Sequence, residues 1–352
     1  MRLLLSCLLL SLAPAPADDL RLNQIQAIGS HNSYHVAPPA EILEVIAKFS
    51  KGGAKSWNYT HPPLTEQLDM GVRQFELDIF ADTKGGLFAD PLALKLAKLA
   101  GKKDLTIDKD ALAKPGFKVL HIPDIDCWSN APLLKDALAG MAAWSAEHPR
   151  HLPVMILLEC KDKQETGLPT KPESLTRARM MELEKEILSA IPADRILKPD
   201  DVRGKEATLR EAVLKQGWPA LDQLRGKFLF ALDNTNEVRT RYLEKNPSLE
   251  GRLIFASVPD EKHPAAAWFK CNDPIGEQDK IRALVKAGFL VRTRSDTNKP
   301  DAKMKQKAFD SGAQWVSTDH FSQDSKTRVA FEGGKIVRSN PISAEVKVEI
   351  EP

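Results

Sequence analysis

The sequence predicts an α/β protein built as a TIM-type (β/α)8 barrel. Eight short apolar runs, each of a length that suits a buried strand, recur along the 352 residues, and helix-like stretches separate them. Strands alternating with helices predict a parallel sheet with the helices outside. A doubly wound open sheet would need a glycine-rich nucleotide loop after a strand. None follows any of these runs, and no repeat or linker divides the chain.

The elements follow in chain order. Residues 1–17 join a basic Arg2 to an apolar run and a small-residue Ala15-Pro16-Ala17 site, the pattern of a cleaved secretory signal. The Leu3–Leu12 run is short for an uncleaved anchor. The expected organisation is therefore a signal peptide over 1–17 and a single barrel domain over 18–352, secreted or periplasmic. Strands are expected near Ile25–Gly29, Val72–Ile79, Lys118–Ile122, Val154–Cys160, Phe228–Asp233, Leu253–Ser257, Phe289–Thr293 and Gln314–Thr318. Helices are expected at Ala40–Ser50, Pro132–Glu147, Glu173–Ser189, Thr208–Lys215, Gln278–Ala287 and Asp301–Ser311, with Pro132 at a first helical position. Two insertions, from His31 to Thr65 and over Ala81–Gly116, follow strands and would overhang the barrel mouth.

Composition narrows the function. Charged residues make up 28% and hydrophobic residues 42% of the chain, with a net charge of +2. That balance is ordinary for a globular protein and lacks the basic excess of a nucleic-acid binder. Cys127, Cys160 and Cys271 have no Cys-x-x-Cys spacing, which argues against structural zinc. They form one bridge at most or remain three buried thiols.

The unusual polar residues fall at strand ends, where barrel enzymes carry their chemistry. "AIGSHNSYHV" ends the first strand with His31 and Asn32, and both reach one site only if the backbone turns, a turn that Gly29 and Ser30 would supply. "VRQFELDIF" puts Glu76 and Asp78 two apart, on one face of the second strand. If the apolar parity faces the helices, both carboxylates point into the barrel, where a cation or basic partners must offset them. "KVLHIPDID" ends the third strand with His121, which alone reads equally well as a core histidine. "VMILLECKD" ends a buried run with Glu159, whose plain alternative is a salt bridge to Lys161 or Arg73. Asn32, Glu76, Asp78 and Glu159 are hard oxygen ligands suited to calcium or magnesium. His31 and His121 are then free for proton and charge work. His35, His61, His148, His151, His263 and His320 read as ordinary loop or surface residues.

The order "GSHNSY", "ELDIF", "VLHIPD", "LLECKD" resembles the catalytic half of phosphatidylinositol-specific phospholipase C. "DDVRG", "LRGKFLFALDN", "LVRTRSD" and "GAQWVSTD" are similar to its bacterial calcium-dependent branch. The resemblance covers nearly all of the chain after residue 17. It implies a distorted or incomplete TIM barrel, calcium as cofactor, and a phosphoinositide lipid substrate met by transient contact with a membrane surface. It makes His31 and His121 the catalytic pair and Asn32, Glu76, Asp78 and Glu159 the calcium ligands. Lys161, Asp233 and Arg292 become the candidates for binding substrate. Where the eukaryotic enzymes of the family place lysines after "RGKFLF", this chain has Ala231, Leu232 and Asp233, which favours plain phosphatidylinositol over its polyphosphates. Cleavage would yield diacylglycerol and inositol phosphate through a cyclic phosphate. Competing readings are a barrel phosphodiesterase acting on glycerophosphodiesters or sphingolipids, and a non-catalytic lipid-binding relative.

Overall fold

The computed structural model describes residues 20–99, 101, 105–297, 299–322 and 325–352. The stretch read as an export signal lies outside them. Among the described residues ten strands are present: β1 (Ile25–Ser30), β2 (Gln74–Asp82), β3 (Gly116–Val119), β4 (Val154–Cys160), β5 (Phe228–Leu232), β6 (Ile254–Ala256), β7 (Trp268–Lys270), β8 (Leu290–Arg294), β9 (Trp315–Thr318) and β10 (Val337–Ser339). They form two five-stranded sheets, ordered β10-β1-β9-β8-β7 and β3-β2-β4-β5-β6. Without β3 and β10, the remaining eight strands run parallel and in chain order around a barrel with two seams.

The seams are where ladders are replaced by single contacts. One parallel bridge, Ser257 with Trp268, joins β6 to β7. Between β1 and β2, the Arg73 N–H donates to Ile28 O at 3.3 Å. The Gln74 side chain fills this second seam and bonds to Ser317 Oγ and Ser30 O. A Cβ on Gly29 would lie 2.1 Å from Gln74 Oε1. Glycine is needed here for this close approach and not for the turn expected of it. The turn falls at Asn32, a non-glycine residue with φ of 43°.

The six expected helices are present, within four residues at each end. They span Ala40–Phe49, Leu134–Glu147, Arg177–Ala190, Leu209–Lys215, Gln278–Lys286 and Ala302–Ser311. Thr176, Thr208 and Asp301 cap theirs by accepting backbone N–H groups. Pro132 lies outside its helix, which starts at Leu134, and its carbonyl instead accepts the Val119 N–H. The insertion helices Ala40–Phe49 and Leu92–Leu99 pack on Phe80, Leu120 and Trp128 as a small apolar cluster separate from the main core. Cys127, Cys160 and Cys271 are buried free thiols. Among the described residues no helix is long and apolar enough to cross a membrane.

The third strand departs from expectation. β3 runs antiparallel to β2, with Asp82 opposite Gly116 and Ile79 opposite Val119. β2 climbs past the mouth, and β3 descends beside it until the Leu120 N–H donates to Asp78 O at 3.1 Å. His121 therefore reaches the mouth from above.

His151, read from sequence as ordinary, is buried at the opposite end of the barrel, just before β4. Arg195 Nη2 donates to Ser145 Oγ at 2.8 Å, Ser145 Oγ lies 2.7 Å from His151 Nε2, and His151 Nδ1 lies 2.6 Å from Leu152 O. A carbonyl only accepts, so Nδ1 carries the proton and Nε2 accepts from the serine. Burial, with Arg73 and Arg195 nearby, pushes this imidazole down to about 4. Its folded pKa is below the unfolded value, so stability is intact above about pH 6.5 and falls as the pH drops toward 4, by up to about 3 kcal/mol. Urea unfolding of the native protein and of His151→Asn between pH 7 and 4 should show the steeper acid loss in the native protein. Parallel curves would remove His151 as the cause.

Candidate active site and metal cluster

The mouth of the barrel has an acidic wall and a basic wall. Period-two alternation sends Gln74, Glu76 and Asp78 of β2 to the inside, while Phe75, Leu77 and Ile79 pack in the core. Parallel register sets Glu159 of β4 beside Asp78. Asp233 follows β5, its N–H donating to Leu158 O at 2.9 Å. On the other wall, Lys270 ends β7 beside Arg292 of β8, and Arg294 lies two residues further on.

The two walls meet across the barrel. Arg292, fully buried, donates to Glu76 Oε2, to Ser317 Oγ at 3.0 Å and to Asn272 Oδ1 at 2.5 Å. Lys270 Nζ donates to Asp233 Oδ2. Burial opposes the Glu76 charge, but Arg292 and His31 overcome it and its pKa is lowered. Asp233 and Glu159 move the other way. Burial and the neighbouring carboxylates, Glu76 for Asp233 and Asp78 for Glu159, outweigh Lys270 and Lys161 and raise both.

Oxygen atoms of Glu76, Asp78 and Glu159 lie within 4.8 Å of one another. Asp78 is completely buried with neither oxygen in a well-formed hydrogen bond. Lys161 Nζ, 2.6 Å from its Oδ2, offsets part of its charge. Three carboxylates gathered on the inner face, with lone pairs to spare and the Glu159 pKa raised by burial and by the Asp78 charge, fit a divalent cation of hard character. Asn32 is buried at the first strand's end, its Nδ2 donating to the Tyr59 hydroxyl at 3.2 Å.

Lys161 is not the partner of Glu159 alone. Its ammonium is closer to Asp78 than to Glu159, 3.8 Å away, and it also donates to His121 O at 3.3 Å. Arg73, the other partner considered for Glu159, donates instead to Leu68 O and Val72 O before β2 begins.

Each predicted catalytic histidine carries its own carboxylate, and neither carboxylate was anticipated. His31 Nδ1 is 2.8 Å from Asp319 Oδ1, and its Nε2 is 3.8 Å from Glu76 Oε1. Burial disfavours its charge, but Asp319 and Glu76 prevail and the pKa is raised. Arg294 stands 3.7 Å from Asp319 and 3.5 Å from His31. His121 Nδ1 is 2.6 Å from Asp126 Oδ2. There burial prevails, with Lys161 adding to it, and the pKa is lowered despite Asp126.

Asp319 did have a signal, since it follows strand β9 in "WVSTDH" as Glu159 follows its own apolar run. Asp126 lies in a loop, and its role follows from the tight 122–126 turn, where the Asp126 N–H donates to Ile122 O at 2.9 Å. His35 and His61, read as ordinary, are buried in the site: His35 meets Asp126, and His61 Nε2 lies 3.0 Å from His31 O.

Comparison with known proteins bears on this geometry. A family model described as Phosphoinositide phospholipase C, Ca2+-dependent, matches residues 20–341. No curated protein sequence matches the chain. Among solved structures, the calcium-dependent phosphoinositol-specific phospholipase C of a Pseudomonas species in an apo crystal form is 15% identical, with 93% of this chain and 98% of that one covered at a TM-score of 0.57. The structure of the same enzyme described as a myo-inositol complex gives the same score and identity, covering 93% of this chain and 100% of that one. The calcium-dependent enzyme of Streptomyces antibioticus is 18% identical, with 85% and 94% covered and a TM-score of 0.53. At such identities the structural likeness establishes the shared barrel. Membership rests on the sequence match, which spans nearly the whole chain: this protein belongs to the calcium-dependent phosphoinositide phospholipase C family, hydrolases of phosphodiesters with calcium as cofactor.

Proposed function

We propose that the protein is an exported phospholipase C that cleaves phosphatidylinositol to diacylglycerol and a cyclic inositol phosphate, then opens the ring to inositol phosphate. The observation that carries this reading is the pairing of His31 with Asp319 and of His121 with Asp126 beside a three-carboxylate cluster.

Glu76, Asp78, Glu159 and Asn32 would hold the calcium ion. When bound, it would lower the pKa of a coordinated hydroxyl and offset charge on phosphoryl oxygens. The chain's own groups do the rest. Glu76 is committed to Arg292, so the partly exposed Glu159 is the carboxylate best suited to take the proton of the inositol 2-hydroxyl. As the 2-oxygen bonds to phosphorus, His31, kept protonated by Asp319, donates to the developing phosphoryl charge, and Arg294 adds a second cation. His121, held through Nδ1 by Asp126, gives the proton on Nε2 to the departing glycerol oxygen. Water then opens the cyclic phosphate with the roles reversed. Lys161 is assigned to hold Asp78 and Glu159, and a contact with substrate phosphate is secondary. Buried Arg292 serves to orient Glu76, which leaves the phosphate to Arg294.

Headgroup release from phosphatidylinositol, phosphatidylcholine, sphingomyelin and glycerophosphoinositol, with and without calcium, tests the reading. Calcium-dependent release from choline lipids but not from phosphatidylinositol would overturn it.

The inositol 4 and 5 positions give a second expectation. The pocket wall is not free of lysine, because Lys270 arrives from β7, a strand the sequence reading missed. Its charge is tied to Asp233, so an added phosphate meets a neutralised pair instead of an open cation. In matched mixed micelles kcat/KM should be higher on phosphatidylinositol than on its 4,5-bisphosphate. Asp233→Asn should narrow the gap by about tenfold by releasing Lys270. A native enzyme that prefers the bisphosphate would refute this placement.

A further inference from the structure

We propose that His35 is a positioning residue for the proton donor His121, acting through Asp126. The inference rests on His121 being the acid that protonates the leaving group. His35 lies one turn beyond Asn32, with its N–H donating to Asn32 O at 2.9 Å. Both its ring and the Asp126 side chain are fully buried. The ring stacks on Tyr59 with centroids 4.2 Å apart and planes 21° from parallel. Its Nδ1 is 3.0 Å from Tyr59 O, and its Nε2 is 3.0 and 3.1 Å from the two oxygens of Asp126. Asp126 Oδ2 in turn lies 2.6 Å from His121 Nδ1, and the two imidazoles meet edge to face at 5.9 Å.

The hydrogen-bond roles follow from chemistry. A backbone carbonyl only accepts, so His35 Nδ1 donates to Tyr59. Asp126 accepts from His121 and faces His35 Nε2 with both oxygens, so His35 donates from this nitrogen too. The ring is the counterweight to a buried carboxylate that would otherwise face His121 alone. Contacts of 2.6 to 3.1 Å are hydrogen-bond distances, so shared protons hold the three groups together.

The backbone is arranged to keep them in place. His35 and Ser129 form an antiparallel bridge, and the Val36 N–H donates to Trp128 O at 3.3 Å, fastening the loop after β1 to the loop that carries Asp126. Fixed in this way, Asp126 holds the His121 ring through Nδ1 and leaves Nε2 to carry the transferred proton, as a buried carboxylate does for the working imidazole of a catalytic triad. Without His35 the carboxylate has lost a donor in a place water does not reach, and it can rotate or draw in a proton of its own.

The test separates positioning from mere structural support by changing the leaving group. Native enzyme, His35→Ala and His35→Gln are compared on phosphatidylinositol, whose alkoxide must be protonated, and on the nitrophenyl ester of inositol 1-phosphate, whose phenoxide leaves unaided. His35→Ala should lose about 10- to 100-fold in kcat on the lipid with little change in KM, the scale of losing a group that orients a working histidine. On the nitrophenyl ester it should stay within about threefold of native, and the Gln amide should restore part of the lipid rate by donating to Asp126. Equal losses on both substrates in folded His35→Ala and His35→Gln, or an undiminished lipid rate, would overturn the proposal. His121→Ala run alongside distinguishes the two assignments. If it shows the leaving-group dependence and His35→Ala does not, only the positioning role fails. If it shows none, the acid assignment fails and this proposal falls with it.

Discussion

Calcium added to the metal-free protein is expected to raise its unfolding temperature by about 4 °C at roughly a hundredfold excess over the dissociation constant, and exhaustive chelation to abolish turnover. The cause is the crowding of Glu76, Asp78 and Glu159, whose oxygens approach within 4.8 Å of one another on the buried inner face. Arg292 and Lys161 offset part of that charge, yet the Glu159 pKa remains raised. Its charged form is thus disfavoured in the folded state, and Glu159→Gln should make the metal-free protein more stable while weakening its thermal response to calcium. A stabilising substitution that damages the catalyst marks a ligand, because the repulsion is what the ion relieves. Zinc should restore activity poorly, since all-oxygen donors suit a hard cation. If Glu159→Gln keeps the full calcium-induced shift, Glu159 is not a ligand; if turnover survives chelation, the calcium assignment fails.

His31→Ala is expected to lower kcat by about 1000-fold or more on phosphatidylinositol and on the nitrophenyl ester alike. In the proposed mechanism His31 faces the charge that builds on the phosphoryl oxygens, and that charge develops whichever group departs. His121→Ala should lose about 100-fold or more on the lipid only. The two histidines are therefore told apart by substrate and not by the size of the defect. Asp319→Asn should resemble a milder His31→Ala, because Asp319 Oδ1, 2.8 Å from Nδ1, favours the charged imidazole and raises its pKa. Calorimetry should show both histidine variants folded. A His31→Ala enzyme that loses activity on the lipid alone would mean that the donor and acceptor roles had been exchanged.

The sequence by itself determined most of the barrel strands, six of the helices and the placement of polar groups at strand ends, because those depend on local pattern. Apolar runs such as 154–160 bury a strand wherever it lies, and period two placed Glu76 and Asp78 on one face before any partner was known. Carboxylates at the ends of such runs announced a cation. The tertiary structure decided what the polar groups pair with. Lys270 ends a strand of only three residues, too short to show a pattern, and its approach to Asp233 depends on barrel closure. The antiparallel descent of β3 delivers His121, and no periodicity records a strand's direction. Asp126 and His35 are 91 residues apart in two loops without regular structure. Their partnership exists because the fold buries both loops together, where the Asp126 carboxylate takes His35 Nε2 as a partner beside His121. Local sequence fixes which side chains leave a strand on which face, while the pairing of buried charges is a property of the whole fold.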